Sequence, residues 1–167
     1  EACLSLAHAN PSLARLINPR QTSAIAYKGS PLCRESDSFA SGPEPGATLV
    51  DVHLEDVEGH LSDALNPTGF TAFVFGDDAA DAARLLSDLG QENGSRPQVK
   101  VVAITSKAGP LEASIPTLVD SGRRAFDAYG VTAGAVYLVR PDGHVAGRWH
   151  QANARRLAQA VNKECRN

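Results

Sequence analysis

The sequence predicts an α/β domain, a central mixed sheet with flanking helices, preceded by a short helical arm and an extended linker. Three observations predict it. Two apolar runs, FTAFVFG (70–76) and VKVVAIT (99–105), are separated by a segment with helical periodicity. The stretch YLVRPDGHVAGRW (137–149) has the turn chemistry of a hairpin. A second amphipathic segment, ANARRLAQAVNKEC, follows that hairpin.

Each element has its own warrant. In CLSLAHANPSLARLI, Asn10 can cap and Pro11 can take the first helical position, which gives Leu13, Leu16 and Ile17 one short apolar stripe. That stripe is too small to bury itself and needs a partner surface. In residues 28–47, ten of twenty are Gly, Pro or Ser, so they read as a linker or as chain running extended over a surface. ATLVDVHL (47–54) reads as a strand and HLSDALN (60–66) as a short helix or turn. Residues 70–76 are apolar on both faces, as in a strand covered by helices on each side. Asp77 or Asp78 then caps a helix through Leu89, with Ala82, Leu85, Leu86 and Leu89 on one stripe. With the buried strand 99–105, the order strand-helix-strand implies a right-handed parallel crossover.

Residues 106–120 read as irregular. Ser121 is the expected cap of a helix that carries Phe126 and Tyr129 inward and stops at Gly130. Strand 135–140 is apolar on both faces and belongs in the sheet centre. Pro141 presets the first turn angle, and Gly143 allows the positive φ of a short hairpin with a bulge. Strand 144–149 alternates, with Val145, Gly147 and Trp149 on one side and His144, Arg148 and His150 on the other. That pattern predicts an outer strand with one wet face, and it makes His144 a hairpin residue rather than a catalytic group. The last helix places Ala154, Leu157, Ala158 and Val161 inward.

Composition sets further bounds. The 167 residues carry a net charge of −3, which gives no reason to expect nucleic-acid binding, and no run of about 18 apolar residues is present to span a membrane. Residues 1–34 hold Arg15, Arg20, Lys28 and Arg34 against Glu1, a balance of +3 that leaves −6 for the rest. Cys3, Cys33 and Cys165 are an odd count without CxxC spacing; a Cys3–Cys33 disulfide is open, and reduced thiols in a cytoplasmic setting are the simpler expectation. Asp77, Asp78 and Asp81 cluster at a helix start, where carboxylates suit the helix dipole without a metal. His53 and His60 flank LEDVEG at a spacing that fits no metal or triad pattern. Arg123 and Arg124 sit where a helix begins and are expected to face solvent or another surface. No residue is therefore assigned a catalytic, cofactor-binding or metal role. The absence of methionine and the start at Glu1 raise the expectation of a piece of a longer polypeptide.

A βαβ crossover followed by an antiparallel hairpin and a closing helix is similar to the thioredoxin fold. FDAYGV followed by AVYLVRPDGHVAGRW resembles the second half of thioredoxin-like and peroxiredoxin-like proteins. Redox members carry a thiolate at the helix start after the first crossover strand, where Gly76-Asp77-Asp78-Ala79-Ala80 stands here. The proline of such proteins before the hairpin strand is also missing, the chain reading Val131-Thr132-Ala133-Gly134-Ala135.

YKGSPL (27–32), PGATLVDVHL (45–54), GFTAFVF (69–75) and LVRPDGHVAGRW together resemble the C-terminal region of FAD-dependent aromatic ring hydroxylases. The likeness is to the phenol hydroxylase, hydroxyphenylpropionate hydroxylase and polyketide hydroxylase group. It implies an upstream-domain tail at 1–18, a linker at 19–45 and a thioredoxin-like domain at 46–165. It also implies FAD and NAD(P)H in the whole enzyme and none bound by this chain, because no G-x-G-x-x-G occurs. The flavin and substrate domains are the implied partners, with a homodimer interface as a second role. A free-standing redox-inactive thioredoxin-like module is the alternative, and a degenerate peroxiredoxin working through Cys33 or Cys165 is a third reading.

Overall fold

A computed structural model of the chain describes residues 36–54, 59–92, 99–109, 115–151 and 153–164. The arm expected at 1–18, the first part of the linker and all three cysteines lie outside these residues. Five strands form one sheet: β1 (Phe70–Gly76), β2 (Val99–Thr105), β3 (Thr117–Val119), β4 (Val136–Val139) and β5 (Val145–Trp149). Among the described residues three α-helices accompany them: α1 (Ala80–Glu92), α2 (Arg124–Tyr129) and α3 (Ala154–Glu164). The strand order is β3-β2-β1-β4-β5. β1 and β2 pair in parallel from Phe70↔Val99 to Gly76↔Thr105, whereas β4 runs antiparallel to both β1 and β5.

β1 is buried along its whole length because the sheet has a core on each face. Phe70, Ala72 and Val74 join Leu85 and Leu89 of α1, Leu157 and Val161 of α3, and Trp149. Phe73 and Phe75 join Leu54, Leu61, Phe126, Tyr129 and Tyr137 on the other face. Alternation on the pleat thus sends successive residues of one apolar run into two separate cores. The helical stripe of α1 lies as its spacing predicts, with Ala82, Leu85 and Leu89 buried and Leu86 packed at the margin. Its N-terminal amide at Ala80 donates to Asp78 Oδ1 at 2.9 Å, so of the two candidate caps Asp78 does the capping. Residues Leu61–Ala64 form one 3-10 turn.

Four expectations need correction. Residues 47–54 form no strand; only isolated bridges occur, Thr48 with His144 and His53 with His60, because beyond Leu49 no strand lies alongside. The segment 106–120, expected to be irregular, contains β3, a three-residue edge strand parallel to β2. The cap of α2 is Asp120, not Ser121: its carboxylate accepts from the amides of Arg124 (2.9 Å), Ala125 (2.8 Å) and Phe126 (3.3 Å). Arg123 stands at φ +54°, a left-handed turn that brings the chain back over the carboxylate. Finally, β5 has no wet face, and all five of its residues are buried.

What covers β5 is the end of the expected linker. Ser36 bridges Arg148 in parallel and the Asp37 amide donates to the Arg148 carbonyl at 3.0 Å. The chain then reverses. The Gly46 amide donates to Val145 O at 2.7 Å, Val145 N to Ala47 O at 2.9 Å and Leu49 N to Gly143 O at 2.8 Å. The backbone groups of an edge strand, otherwise left to solvent, are thereby paired.

Because Asp120 is 2 % exposed and satisfies three helix amides at once, its loss leaves buried donors without an acceptor. Asp120→Ala is expected to lower stability by about 2 kcal/mol. Urea unfolding followed by circular dichroism measures it, and an unchanged midpoint would refute the capping role.

Candidate functional site

The place to look for chemistry is the carboxyl end of β1, where a strand delivers the chain to a helix N-terminus. Gly76, Asp77 and Asp78 stand there, and both carboxylates are engaged locally. Asp78 caps α1, and Asp77 Oδ1 accepts from Ser106 Oγ at 2.9 Å. The positive end of the helix is therefore already answered by the chain's own negative charge. Opposite lies the loop before β4, tied down by Gly134 N donating to Phe75 O at 2.7 Å. Among the described residues no peptide bond is cis.

Between this loop and α1 runs an open groove of about 600 Å³, lined by Asp81, Arg84, Asp88, Thr132 and His150 among others. Its ionic groups are a weak set. Arg84 stands 3.6 Å from Asp81, with the Arg84 side chain 74 % exposed, so the pair is screened by solvent. His150 at the rim is held from the other side: its Nε2 lies 2.9 Å from Ser38 O and its ring stacks on Phe39 at 4.0 Å. The groove offers no nucleophile poised against a base.

The remaining candidates are placed as follows. His144 sits at the hairpin; its amide donates to Asp142 Oδ1 at 3.2 Å and its Nδ1 lies 3.3 Å from the same oxygen. Arg140 reaches Asp142 Oδ2 at 2.6 Å, and Arg140 N donates to His144 O at 2.9 Å. Burial pushes the Asp142 carboxyl up, but the His144 amide and Arg140 outweigh it, so the pKa lies below the usual 3.8. His53 and His60 are brought together across their bridge, with ring centroids 5.1 Å apart and His60 Nδ1 3.6 Å from Asp51. Asp51 is itself occupied by the Ser62 amide and hydroxyl, both at 3.0 Å. Among the described residues no three His, Cys, Asp or Glu side chains gather as metal ligands do. Arg123 and Arg124 are exposed at the start of α2, the Arg123 guanidinium 4.4 Å over the Phe126 ring.

The residue that sequence reasoning undervalued is Arg148. It is 6 % exposed, and its Nη1 donates to three consecutive carbonyls, Ser41 (3.3 Å), Gly42 (3.1 Å) and Pro43 (3.1 Å). Its guanidinium also lies 5.0 Å over the Phe39 ring. Beneath it, Tyr137 Oη donates to Tyr129 O at 2.9 Å and Tyr129 Oη to Val50 O at 3.0 Å. Burial raises the pKa of Tyr137, with Arg148 partly opposing it, and burial raises that of Tyr129 further. The phenols stay neutral donors. The one sequence signal for this cluster was the pair Gly42 and Gly46 in the supposed linker, both at positive φ (+87° and +88°).

No protein-family model matches the chain, and a search of curated proteins found no match either. Solved structures do match. Aklavinone-11 hydroxylase, in a ternary complex with FAD and aklavinone, aligns at 23% identity with a TM-score of 0.54, over 74% of this chain and 22% of that one. The rebeccamycin biosynthetic enzyme RebC, in its substrate-free form, aligns at 20% identity with a TM-score of 0.57, over 98% of this chain and 26% of that one. A thiol peroxidase from Chromobacterium violaceum aligns at 19% identity with a TM-score of 0.53, over 71% of this chain and 82% of that one. The fold is thioredoxin-like. This thioredoxin-like chain spans about a quarter of the length of aklavinone-11 hydroxylase and of RebC, and it resembles the peroxidase over most of the latter's length.

The N-terminus of α1 does not fit the pyrophosphate of a flavin or nicotinamide dinucleotide. A pyrophosphate needs a helix N-terminus free of negative charge, and that of α1 is filled by Asp78 with Asp77 beside it. The same two carboxylates would hold a thiol placed there in its protonated, unreactive form.

Asp37 makes the attachment of residues 36–50 pH-dependent. Burial raises its pKa, but the His150 amide (3.0 Å) and the Arg156 guanidinium (2.9 Å) outweigh that and leave it below the usual 3.8. A carboxyl with a lowered folded pKa contributes stability that is complete above its unfolded pKa and lost as the pH falls through the folded one. Asp37→Asn is thus expected to be less stable than the parent near neutrality, with the difference closing below about pH 4. Urea midpoints across that range test it. A pH-independent difference would show that the charge contributes nothing.

Proposed function

We propose that this chain is the non-catalytic, thioredoxin-like C-terminal domain of an FAD-dependent, NAD(P)H-using aromatic monooxygenase, with a structural role. The observation that carries this reading is the carboxylate pair Asp77–Asp78, engaged in local hydrogen bonds, at the position where redox members of the fold need a thiolate. It is supported by the fold shared with part of the hydroxylase chains and by the four sequence stretches that resemble that group. In this reading residues 1–18 close an upstream domain, 19–45 connect it, and 46–165 are the appended domain, with residues 36–45 travelling alongside β5. FAD and NAD(P)H belong to the parent's other domains, and those domains are its partners.

The described surface constrains the docking. Val50 is its exposed large hydrophobic residue, at 40 %. An interface formed by the described residues is therefore a polar, domain-to-domain contact rather than an obligate apolar one. No described helix is long and apolar enough to cross a membrane.

The coding sequence upstream of the Glu1 codon tests the proposal. An open frame with a strand-linked G-x-G-x-x-G is the expected result, and an initiator or signal peptide directly ahead of Glu1 overturns it. The purified chain is also expected to consume no peroxide and to leave added thiol unoxidised. Peroxide turnover that disappears in Cys33→Ser or Cys165→Ser would instead favour the peroxidase-like reading, for which the shared fold of the thiol peroxidase is the supporting observation.

A further inference from the structure

Residues 36–50 differ from the rest of the described chain in how they are held. They contribute no large, fully buried side chain; within the segment only Pro43 and Gly46 are buried, and Phe39 and Leu49 are partly so. Their attachment is a set of hydrogen bonds, and these end on β5 and its flanks. Asp37 binds Arg148, His150 and Arg156; Ser38 binds His150; Gly46, Ala47 and Leu49 bind Val145 and Gly143. At the far end Tyr129 Oη holds Val50 O, and the next residue, Asp51, turns to Ser62 instead. A boundary between two sets of partners thus falls between Val50 and Asp51.

Arg148 is the group at the centre of that set. It has no carboxylate within ion-pair distance among the described residues; its charge is met by the carbonyls of Ser41, Gly42 and Pro43. With the segment in place the carbonyls solvate the guanidinium at Nη1 while its Nε stays buried without a partner, and with the segment displaced water reaches both. A guanidinium paired to a buried carboxylate would lose far more on opening. Few apolar contacts, many hydrogen bonds near solvent and a cation content in either state are the marks of a low-stability unit.

We propose that residues 36–50 form a strap that leaves β5 as one cooperative unit while the five-stranded sheet stays folded, with Arg148 as its latch. Opening uncovers the outer edge of β5 and the hydroxyl ends of Tyr129 and Tyr137, so the strap gates a strand edge that is otherwise hidden. This concerns the chain by itself and is decided independently of the hydroxylase reading.

Native-state amide exchange on the full 167-residue chain tests it. The reporters are the amides of Asp37, Gly46, Leu49 and Val145, which span the strap–β5 pairing, against those of Phe75 and Ala103 in the sheet. The four are expected to share one opening rate faster than that of the sheet amides. Arg148→Ala is expected to accelerate all four together by about ten- to a hundredfold, with the four still exchanging faster than Phe75 and Ala103. Asp37→Asn, which removes a tie without touching β5, serves if the first variant fails to fold and is expected to shift the same four. Exchange of the four at the rate of the sheet, or at rates that respond separately to the substitutions, overturns the proposal.

Discussion

Arg148 carries a guanidinium, and β5 places it where solvent barely reaches, at 6 % exposure. A cation so placed must be surrounded by acceptors. Here they are three successive main-chain carbonyls, which can converge on one nitrogen only if the chain folds back on itself. Gly42 makes the reversal at φ +87°, and its missing Cβ lets the backbone lie against the Tyr129 carbonyl and the Tyr137 hydroxyl. Gly130, at the C-terminus of α2, admits Ser41 in the same manner. The burial of β5, the order of the two tyrosines and the path of residues 36–50 are thus consequences of accommodating a single guanidinium.

The same logic applies at the carboxyl end of β1. A helix N-terminus in such a fold is an electrostatic resource, and whatever sits there decides its use. In this chain the use is internal: Asp78 satisfies the first turn of α1 and Asp77 ties the following loop to Ser106. In the described groove Arg84 and Asp81 offset each other in solvent, and His150 is turned toward Ser38 and Phe39. The sheet and its two cores persist without the reactive group because their stability rests on β1 and its neighbours, not on the helix end.

What was legible in the sequence follows from the range of the interactions concerned. The apolar runs of β1 and β2, the stripe of α1 and the Pro-Asp-Gly hairpin are local patterns, and each lies where its period or turn chemistry predicts. The cover on β5 joins residues 36–49 to 143–150, a separation of roughly a hundred residues that no local window senses. Its composition, rich in Gly, Pro and Ser, is that of a linker, although those residues serve reversals and close approaches. The wet face assigned to β5 failed for that reason, and its alternation failed at a register shift: Val145 joins one core, whereas Ala146 and Trp149 join the other. Asp120 was passed over for Ser121 because the left-handed turn at Arg123 makes the cap act from three residues further back than the usual position. β3 was missed because three residues are too few to show alternation.

These constraints also bear on how the domain can meet anything else. An open sheet invites strand addition at its edges, yet one edge here is the three-residue β3 and the other is sealed by residues 36–49. The helical faces expose polar residues, such as Arg84 and Asp88 on α1 and Arg155 and Gln159 on α3. A partner therefore finds neither a ready strand edge nor an apolar patch on the described surface in its closed form. The exposed Val50 lies at the junction where the strap's hydrogen bonds to β5 give way to those of Asp51 with Ser62. The other end of the strap is fastened at Ser36 and Asp37, which are tied to Arg148, His150 and Arg156, so that among the described residues β5 and α3 hold both the start of the segment and its buried arginine.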